Sequence, residues 1–277
     1  MELTDLIRFA IREDAGDGDH TSLACIPEGT TSKAKLLVKE SGVLAGINSA
    51  KHIFAEIDPS LKIEWLKKDG DIVQKDDIAF FVEGSVHSIL LGERLVLNIM
   101  QRMSGIASIT RKIVDSLQGT KCKVLDTRKT TPLLRALEKE AVRIGGGTNH
   151  RIGLYDMILI KDNHVDYAGG ITKALDATRN YLGKTGKNLR IEIETRNLNE
   201  LAQAIQHGGF HRVMFDNYSL KDLRKGVEMV AGKFETEASG GITPENAYDY
   251  AATGVDFISM GCLTHSVKSM DLSLKAC

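Results

Sequence analysis

The sequence predicts an α/β protein in which a small α+β region is followed by an irregular, incomplete α/β barrel. From Lys121 onward, six short strand-like segments alternate with stretches that are mostly long enough for a helix, and such alternation is typical of a parallel sheet. These segments occupy about 140 residues, fewer than the roughly 200 or more that an eight-fold barrel uses. Before residue 105 the chain instead shows mixed strand-like and helical signals.

The N-terminal region contains three strand-like segments, KAKLLVK, LKIEW and IAFFVEG, and a predicted helix from Ile47 to Ile57. A long helical pattern then runs from about Val86 to Leu117, with a possible break at Ser104-Gly105. This helix is predicted to link two domains. Arg94 belongs to a polar stripe at helical spacing on it, which by itself indicates a solvated face.

The six strand candidates of the second region are KCKVLDT, DMILIKD, LRIEIET, RVMFDN, FETEAS and DFISMG. Polar residues cluster where these strands end. In βα barrels the carboxyl ends of the strands carry the active site, so we expect the functional residues there.

Composition excludes several classes of protein. The 277 residues include 36 basic and 37 acidic side chains, for a net charge of −1, so a globally basic nucleic-acid binder is not expected and any anion site must be a local pocket. The four cysteines form no CxxC pair, which argues against a zinc ribbon or a dense disulfide framework and favours a reduced cytoplasm. No run approaches the ~20 apolar residues of a membrane span, and the acidic N-terminus is unlike a signal peptide.

Cations are concentrated between residues 126 and 164. The runs DTRKTT and IKDNH each follow a short apolar segment, and GGGTNHR lies between them. Arginine offers a planar fork that matches a carboxylate or phosphate, and lysine a compact charge, so we expect a ligand with several negative groups. Lys161 could instead form a Schiff base, as in barrel aldolases. Five of the cations in these runs are taken as candidates, namely Arg128, Lys129, His150, Arg151 and Lys161.

Carboxylates occupy the next two strands. Glu192 and Glu194 are two residues apart and therefore share one face of a strand. Asp216 ends the following strand and could meet Glu194 at the mouth of the barrel. The pair could hold Mg²⁺ beside a phosphorylated substrate, or it could form salt bridges with Arg128 or Lys161.

Glycine-rich loops follow the last two strands. EASGGITPEN places Ser239, Gly240 and Gly241 between a strand and a helix predicted to start near Thr243 or Pro244, and ISMGCLTHS repeats the arrangement. Glycine lets the backbone approach an anion closely, and a helix N-terminus offers free N–H groups. The pattern favours a phosphate site over ordinary turns.

Nine motifs in order resemble the quinolinate phosphoribosyltransferase family, also called nicotinate-nucleotide pyrophosphorylase (carboxylating), almost from end to end. They are EDAGDGDHTS, ERLVLNIMQRMSGIAS, DTRKTTP, GGGTNHR, LIKDNH, IEIE, FDN, EASGGIT and ISMGCLTHS. Two positions depart from the family pattern: Leu133 stands where many members have glycine, and Ser108 where threonine is common.

The resemblance implies an N-terminal α/β sandwich domain with the linking helix (1–104), an irregular α/β barrel (105–266) and a tail that returns to the first domain (267–277). It also implies a cytoplasmic homodimer with shared active sites and Mg²⁺ as cofactor. Arg94 would reach the site of the partner subunit.

The resemblance also implies a role for each residue of the site. Quinolinate carboxylates would be held by Arg128, Arg151 and Lys161, with Thr127 and His150 adjacent. Lys129 would face phosphoribosyl pyrophosphate (PRPP), and Glu194 and Asp216 would hold its ribose hydroxyls and the magnesium. The 5′-phosphate would be bound by Ser239, Gly240, Gly241 and Gly261.

The reaction implied is phosphoribosyl transfer from PRPP to quinolinate with decarboxylation, giving nicotinate mononucleotide, pyrophosphate and CO₂ for NAD biosynthesis. Three alternatives stay open at this level. They are a paralogue of the same fold from molybdenum transport operons with another acceptor, an aldolase-type barrel enzyme, and a non-catalytic metabolite-binding regulator.

Overall fold

The computed structural model describes residues 2–277. Its strands are β1 (Thr31–Val38), β2 (Gly42–Val43), β3 (Lys62–Trp65), β4 (Ile72–Val73), β5 (Ile78–Ser85), β6 (Lys123–Leu125), β7 (Met157–Ile160), β8 (Arg190–Thr195), β9 (Arg212–Asp216), β10 (Glu235–Ser239), β11 (Phe257–Ser259) and β12 (Leu272–Ala276). Its helices are α1 (Leu3–Ala15), α2 (His20–Cys25), α3 (Ile47–Ile57), α4 (Val86–Ser116), α5 (Arg135–Ile144), α6 (Asp162–Ala168), α7 (Ile171–Thr185), α8 (Leu198–His207), α9 (Leu220–Val230), α10 (Ala247–Ala251) and α11 (Cys262–His265). None of the described helices combines the length and apolar composition that crossing a membrane requires.

The chain groups into two compact units, neither of which is continuous in sequence. The first contains the chain up to Arg111 together with residues 130–146 and 264–277, and the second contains residues 112–129 and 147–263. Residues 130–146 were not expected in the first unit. The domain boundaries predicted at 104/105 and 266/267 stay a prediction.

The first unit is built on a four-stranded antiparallel sheet in the order β12-β1-β5-β3, with β2 and β4 forming a separate pair. Along β1 every second side chain is buried, namely Ala34, Leu36 and Val38, because successive side chains of a strand point to opposite faces. β12 pairs with β1, so the last strand of the chain completes this sheet.

Helix α4 runs without interruption, so the predicted break at Ser104-Gly105 is wrong. Both small residues serve close packing instead. The Ser104 hydroxyl donates to the carbonyl of Ala45 and accepts from its N–H, at 3.1 and 2.9 Å. A Cβ on Gly105 would lie 2.3 Å from the carbonyl oxygen of Lys268, which leaves room for glycine only.

The second unit is built on a six-stranded parallel sheet in the order β6-β11-β10-β9-β8-β7. Helices separate its consecutive strands in the chain, as the alternation predicted. β6 and β7 form the two edges, so the sheet is an incomplete barrel and the predicted fold class is confirmed. All strands run in one direction, and their carboxyl ends therefore lie at one edge.

Candidate active site

The structure brings most of the predicted site residues to the carboxyl edge of the six-stranded sheet. Residues 127–129 follow β6, Lys161 follows β7, Glu194 lies near the end of β8, and Asp216 ends β9. Ser239 ends β10 and leads into Gly240 and Gly241, and Gly261 comes soon after β11. Parallel strands place active sites at this edge.

Arg94 belongs to α4 in the first unit and is exposed. Its predicted contribution to a partner subunit stays a prediction.

Asp126 joins two of the cationic loops. This fully buried carboxylate accepts the backbone N–H of His150 at 2.8 Å and the side-chain amide of Asn149. Thr127 Oγ1 accepts the N–H of Lys129 at 3.0 Å and shapes the turn that carries Arg128. Asp126 thus ties the DTRKTT loop to the GGGTNHR loop.

Arg128 and Arg151 are held close enough to repel each other. Burial, followed by the positive charge of Arg128, lowers the pKa of Arg151, and the charges of Glu192 and Asp156 oppose this shift. Nη1 of Arg151 donates to the carbonyl of Met157 at 3.3 Å. The Asp156 carboxylate accepts the N–H groups of Ile152 and Gly153, at 2.7 and 2.8 Å, and so closes the turn after Arg151. Two adjacent guanidinium groups form a site that an anion with two carboxylates would stabilise.

Glu194 and Asp216 form the acidic part of this edge. Burial, followed by the negative charge of Asp216, raises the pKa of Glu194. Lys161 opposes the shift, but its Nζ lies 3.9 Å from Glu194 Oε2 and its side chain is half exposed. The expected salt bridge is therefore present but long, and the two carboxylates still repel each other.

His150 is in the loop before β7 and is buried beside Glu192 of β8. Two further residues that the sequence analysis missed lie with them, Arg212 of β9 and Glu237 of β10. His150 Nε2 lies 3.1 Å from Glu192 Oε2 and 3.5 Å from Glu237 Oε2. Arg212 Nη1 lies 2.9 Å from Glu237 Oε2. Burial raises the pKa of both glutamates, and the charge of Glu192 raises that of Glu237 further. We call these four side chains the buried cluster.

A sequence signal for the missed residues existed. Arg212 begins RVMFD, which ends at Asp216, and Glu237 stands in ETEAS, which ends at Ser239. Because alternate residues of a strand share a face, each lies on the same face as the polar residue that ends its strand. β8, β9 and β10 align Glu192 with Arg212 and Arg212 with Glu235. That register cannot be read from the sequence.

The loop after β10 packs tightly against the loop after β9. Gly240 has φ +93, and a Cβ there would lie 2.2 Å from Asn217 Oδ1. The N–H of Asn217 donates to the carbonyl of Ser239 at 2.9 Å, and its side-chain amide donates to Asp216 Oδ2 at 2.8 Å. Glycine is therefore required at 240 by both its backbone conformation and its neighbour.

The helix predicted to start near Thr243 or Pro244 begins later, at Ala247, so this expectation is wrong. The N–H of Thr243 instead donates to Asn246 Oδ1 at 2.8 Å in a turn. α10 has five residues and α11 has four, too few to produce a substantial dipole. Any phosphate affinity of these loops must therefore come from their own N–H groups and side chains rather than from a helix dipole.

Comparison with known proteins shows the family to which the chain belongs. Two models of one family match the chain: quinolinate phosphoribosyl transferase, N-terminal domain, over residues 19–104, and quinolinate phosphoribosyl transferase, C-terminal domain, over residues 106–275. The chain belongs to the quinolinate phosphoribosyltransferase family.

Relatives in this family match over nearly the whole chain. The protein named quinolinate phosphoribosyltransferase (decarboxylating) 1b of Nicotiana tabacum is 46% identical, over 99% of this chain and 82% of its own. A probable nicotinate-nucleotide pyrophosphorylase (carboxylating) of Bacillus subtilis is 43% identical, over 99% of this chain and 93% of its own. The solved nicotinate-nucleotide pyrophosphorylase of Ehrlichia chaffeensis superposes with a TM-score of 0.93 at 38% identity, covering 100% of this chain and 99% of that one.

The family match includes every predicted site residue. Arg94 falls in the range of the N-terminal-domain model of the quinolinate phosphoribosyltransferase family, and the others fall in the range of its C-terminal-domain model.

Proposed function

We propose that this protein transfers the phosphoribosyl group of PRPP to quinolinate and releases one carboxylate as CO₂, giving nicotinate mononucleotide and pyrophosphate for NAD biosynthesis. It is thus a pentosyltransferase. The observation that carries the proposal is that burial, followed by the positive charge of Arg128, lowers the pKa of Arg151, in a member of this family.

Arg128, Arg151 and Lys161 bind the two carboxylates of quinolinate in this proposal. Each guanidinium can form a bidentate pair with a carboxylate, and a diacid relieves the repulsion between the two arginines. Thr127 lies next to Arg128 and offers a hydroxyl. His150 is buried, and its part in the site is taken up below.

PRPP would occupy the acidic and glycine-rich part of the same edge. Glu194 and Asp216 hold the ribose hydroxyls, Lys129 faces the pyrophosphate, and the 5′-phosphate is bound by Ser239, Gly240, Gly241 and Gly261. The last four offer backbone N–H groups without bulky side chains, which suits a phosphate.

Mg²⁺ fits the residues present. Glu194 and Asp216 supply carboxylate oxygens, the ligands that this ion prefers. Burial, followed by the negative charge of Asp216, raises the pKa of Glu194, and a bound cation would oppose this shift. When bound, the ion would neutralise charge on the departing pyrophosphate.

The chemistry requires no covalent enzyme intermediate. The ring nitrogen of quinolinate forms a bond to C1 of the ribose while the bond from C1 to the pyrophosphate oxygen breaks. Positive charge develops on the ribose, and Glu194 and Asp216 stabilise it electrostatically. The bond from ring C2 to its carboxylate then breaks, its electron pair passes to the cationic ring, and a proton from solvent replaces the CO₂.

A turnover assay tests the proposal. Purified protein mixed with quinolinate, PRPP and Mg²⁺ should release pyrophosphate and nicotinate mononucleotide, and nicotinate, which has one carboxylate fewer, should react poorly. Turnover only with another acceptor would indicate the molybdenum-operon paralogue, and binding without turnover would indicate a regulator. Borohydride trapping of a carbonyl substrate on Lys161 would indicate an aldolase.

We also propose a cytoplasmic homodimer in which Arg94 completes the site of the partner subunit. The R94A and R151A variants should each be inactive alone, whereas mixed dimers contain one intact site, so remixing equal amounts should restore about a quarter of the wild-type activity. No recovery after verified subunit exchange would place Arg94 in its own subunit's site or outside the site.

A further inference from the structure

The buried cluster of His150, Glu192, Arg212 and Glu237 has no role in the reaction proposed above. Glu192 and Glu237 have no solvent exposure, and His150 and Arg212 are each 8% exposed. Charged groups rarely occupy such positions unless other groups pair with them. The cluster joins three neighbouring strands to the loop that carries Arg151.

The ring of His150 is held in one tautomer by its neighbours. The N–H of Arg151 donates to His150 Nδ1 at 2.7 Å, so Nδ1 uses its lone pair and carries no hydrogen. The hydrogen is therefore on Nε2, which faces the carboxylates of Glu192 and Glu237 at 3.1 and 3.5 Å. Hydrogen-bonding partners assign the tautomer of a histidine in this way.

Glu237 connects this imidazole to a fixed cation. Its Oε2 lies 2.9 Å from Arg212 Nη1, whereas the nearest oxygen of Glu192 lies 3.9 Å from the same atom. Arg212 also donates from Nε to Glu235 at 3.0 Å, which fixes the guanidinium from the other side. Glu237 thus has Arg212 on one side and His150 on the other.

We propose that Glu237 is a positioning residue of the acceptor site, which acts through His150 on Arg151. Glu237 orients the imidazole, the imidazole accepts the N–H of Arg151, and the backbone at 151 directs the guanidinium towards a carboxylate of the acceptor. The inference rests on the proposed function, in which Arg151 binds quinolinate. It assigns His150 to support of the site rather than to contact with the substrate.

A metal ion is the main competing explanation of the buried cluster. His150, Glu192 and Glu237 each place one possible ligand atom within 4.8 Å of the others. Arg212 already occupies Glu237 Oε2, and its positive charge would repel a second cation in the same cavity. Elemental analysis of the purified protein should therefore find no stoichiometric transition metal, and finding one would overturn the proposal.

The E237Q variant tests the positioning role, because it keeps the shape of the side chain and replaces one carboxyl oxygen with an amide nitrogen, which donates hydrogen bonds and cannot accept them. Quinolinate KM should rise by about tenfold, the lower end of what loss of a supporting partner causes at a binding site. The kcat and the KM for PRPP should stay within about twofold of wild type. E235Q is the matched control, since Glu235 is on the same strand and shares Arg212 but also pairs with Arg190 at 2.6 Å. E235Q should leave all three constants near wild type.

Imidazole ¹⁵N NMR gives a readout that needs no substrate. Wild type should show His150 with hydrogen on Nε2, a signal assigned by its loss in H150N, and E237Q should show a mixture of tautomers. An unchanged tautomer together with an unchanged quinolinate KM would overturn the inference while leaving the proposed function intact. Equal losses in kcat and in both KM values would also overturn it, because they would indicate general damage. If wild type itself does not turn over quinolinate, the proposed function fails and this inference fails with it.

Discussion

Arg151 shows at the level of one residue how the fold prepares an anion site. Its guanidinium is half-buried beside Arg128, and both burial and like charge lower its pKa. The surrounding turns are fixed by Asp126 and Asp156 rather than by the arginines themselves. The fold thus holds two like charges close together, an arrangement that an anionic ligand would stabilise.

The R151A variant should therefore lose acceptor affinity. It removes charge-assisted hydrogen bonds worth roughly 1.5 to 3 kcal/mol each, so the Kd for quinolinate should rise at least about tenfold in isothermal titration. R224A, which removes an exposed arginine on α9, should bind like wild type. Equal affinity in all three proteins would mean that the acceptor pocket has been misplaced.

Leu133 illustrates a departure from the family that the structure makes intelligible. The family resemblance predicts glycine at this position, and the backbone of Leu133 has φ +67 while its side chain is 72% exposed. A leucine in this conformation is strained by roughly 1 to 2 kcal/mol, and its exposed side chain offers little in return.

The L133G variant should consequently be more stable than wild type by about 0.5 to 1 kcal/mol, because relief of strain exceeds the greater freedom of glycine in the unfolded chain. Urea denaturation measures the free energy of unfolding. L134G is the control: Leu134 has φ −91, so glycine there should destabilise the protein. If both variants lost stability equally, the backbone at 133 would not be strained.

At the level of elements, the sheet explains why the site residues meet. The strands were predicted within a few residues of their bounds, and the observed parallel order brings their carboxyl ends to one edge. The loops at that edge are then packed against each other, as Gly240 is against Asn217.

The G240A variant should damage both stability and donor binding. A Cβ at 240 would overlap Asn217, and overpacking costs about 1 to 3 kcal/mol beyond the conformational strain. G232A provides the matched control, since Gly232 also has positive φ, +72, but no neighbour within 4 Å of the added atom. Urea denaturation should show the larger loss for G240A, and only G240A should raise the KM for PRPP. Equal losses would show that the Asn217 contact is unimportant.

Elements also show where sequence reasoning fails. Ser104-Gly105 carried a helix-breaking signal, yet α4 continues because packing against Ala45 and Lys268 uses the small residues. The helix after the Gly240 loop was expected too early, because Asn246 closes a turn first. In the first case contacts outside the segment decided the local structure, and in the second a side-chain hydrogen bond within the segment did.

For the whole molecule, the balance of charge says little about function. The net charge is only −1, yet like charges lie close together at the carboxyl edge of the six-stranded sheet. Arg128 lies near Arg151, and Asp216 lies near Glu194. A further acidic pair, Glu192 and Glu237, is buried completely, and this affects how the stability of the protein depends on pH.

Global stability should fall as pH rises above the ordinary carboxyl range. The folded-state pKa of Glu237 is raised by burial and by Glu192, whereas an unfolded glutamate titrates near ~4.3. Between these two values the folded protein keeps a proton that the unfolded chain releases, so stability declines with rising pH and levels off above the folded pKa. E237Q removes this contribution. The difference between the free energy of unfolding of E237Q and that of wild type should therefore increase from about pH 5 to 8.

Urea denaturation at several pH values measures this difference. E228Q, at an exposed position on α9, serves as the control and should follow the wild-type profile. Parallel profiles for wild type and E237Q would contradict the raised pKa of Glu237.

The sequence by itself determined the α/β class, the six strands and the residues that follow them, because the periodicity of apolar side chains and the turn residues are local properties. It also carried the ordered motifs that indicated the family. These motifs identify Arg128, Arg151, Glu194 and Asp216 as candidate site residues without any knowledge of the geometry.

Only the tertiary structure decided which of these groups interact. The order and register of the strands brought Arg212 and Glu237 to His150, and Asp126 joined two loops so that Arg128 and Arg151 repel each other. Such pairings join residues far apart in the chain. They depend on strand order and on burial, which change the energy of a charge and are not encoded in any single segment.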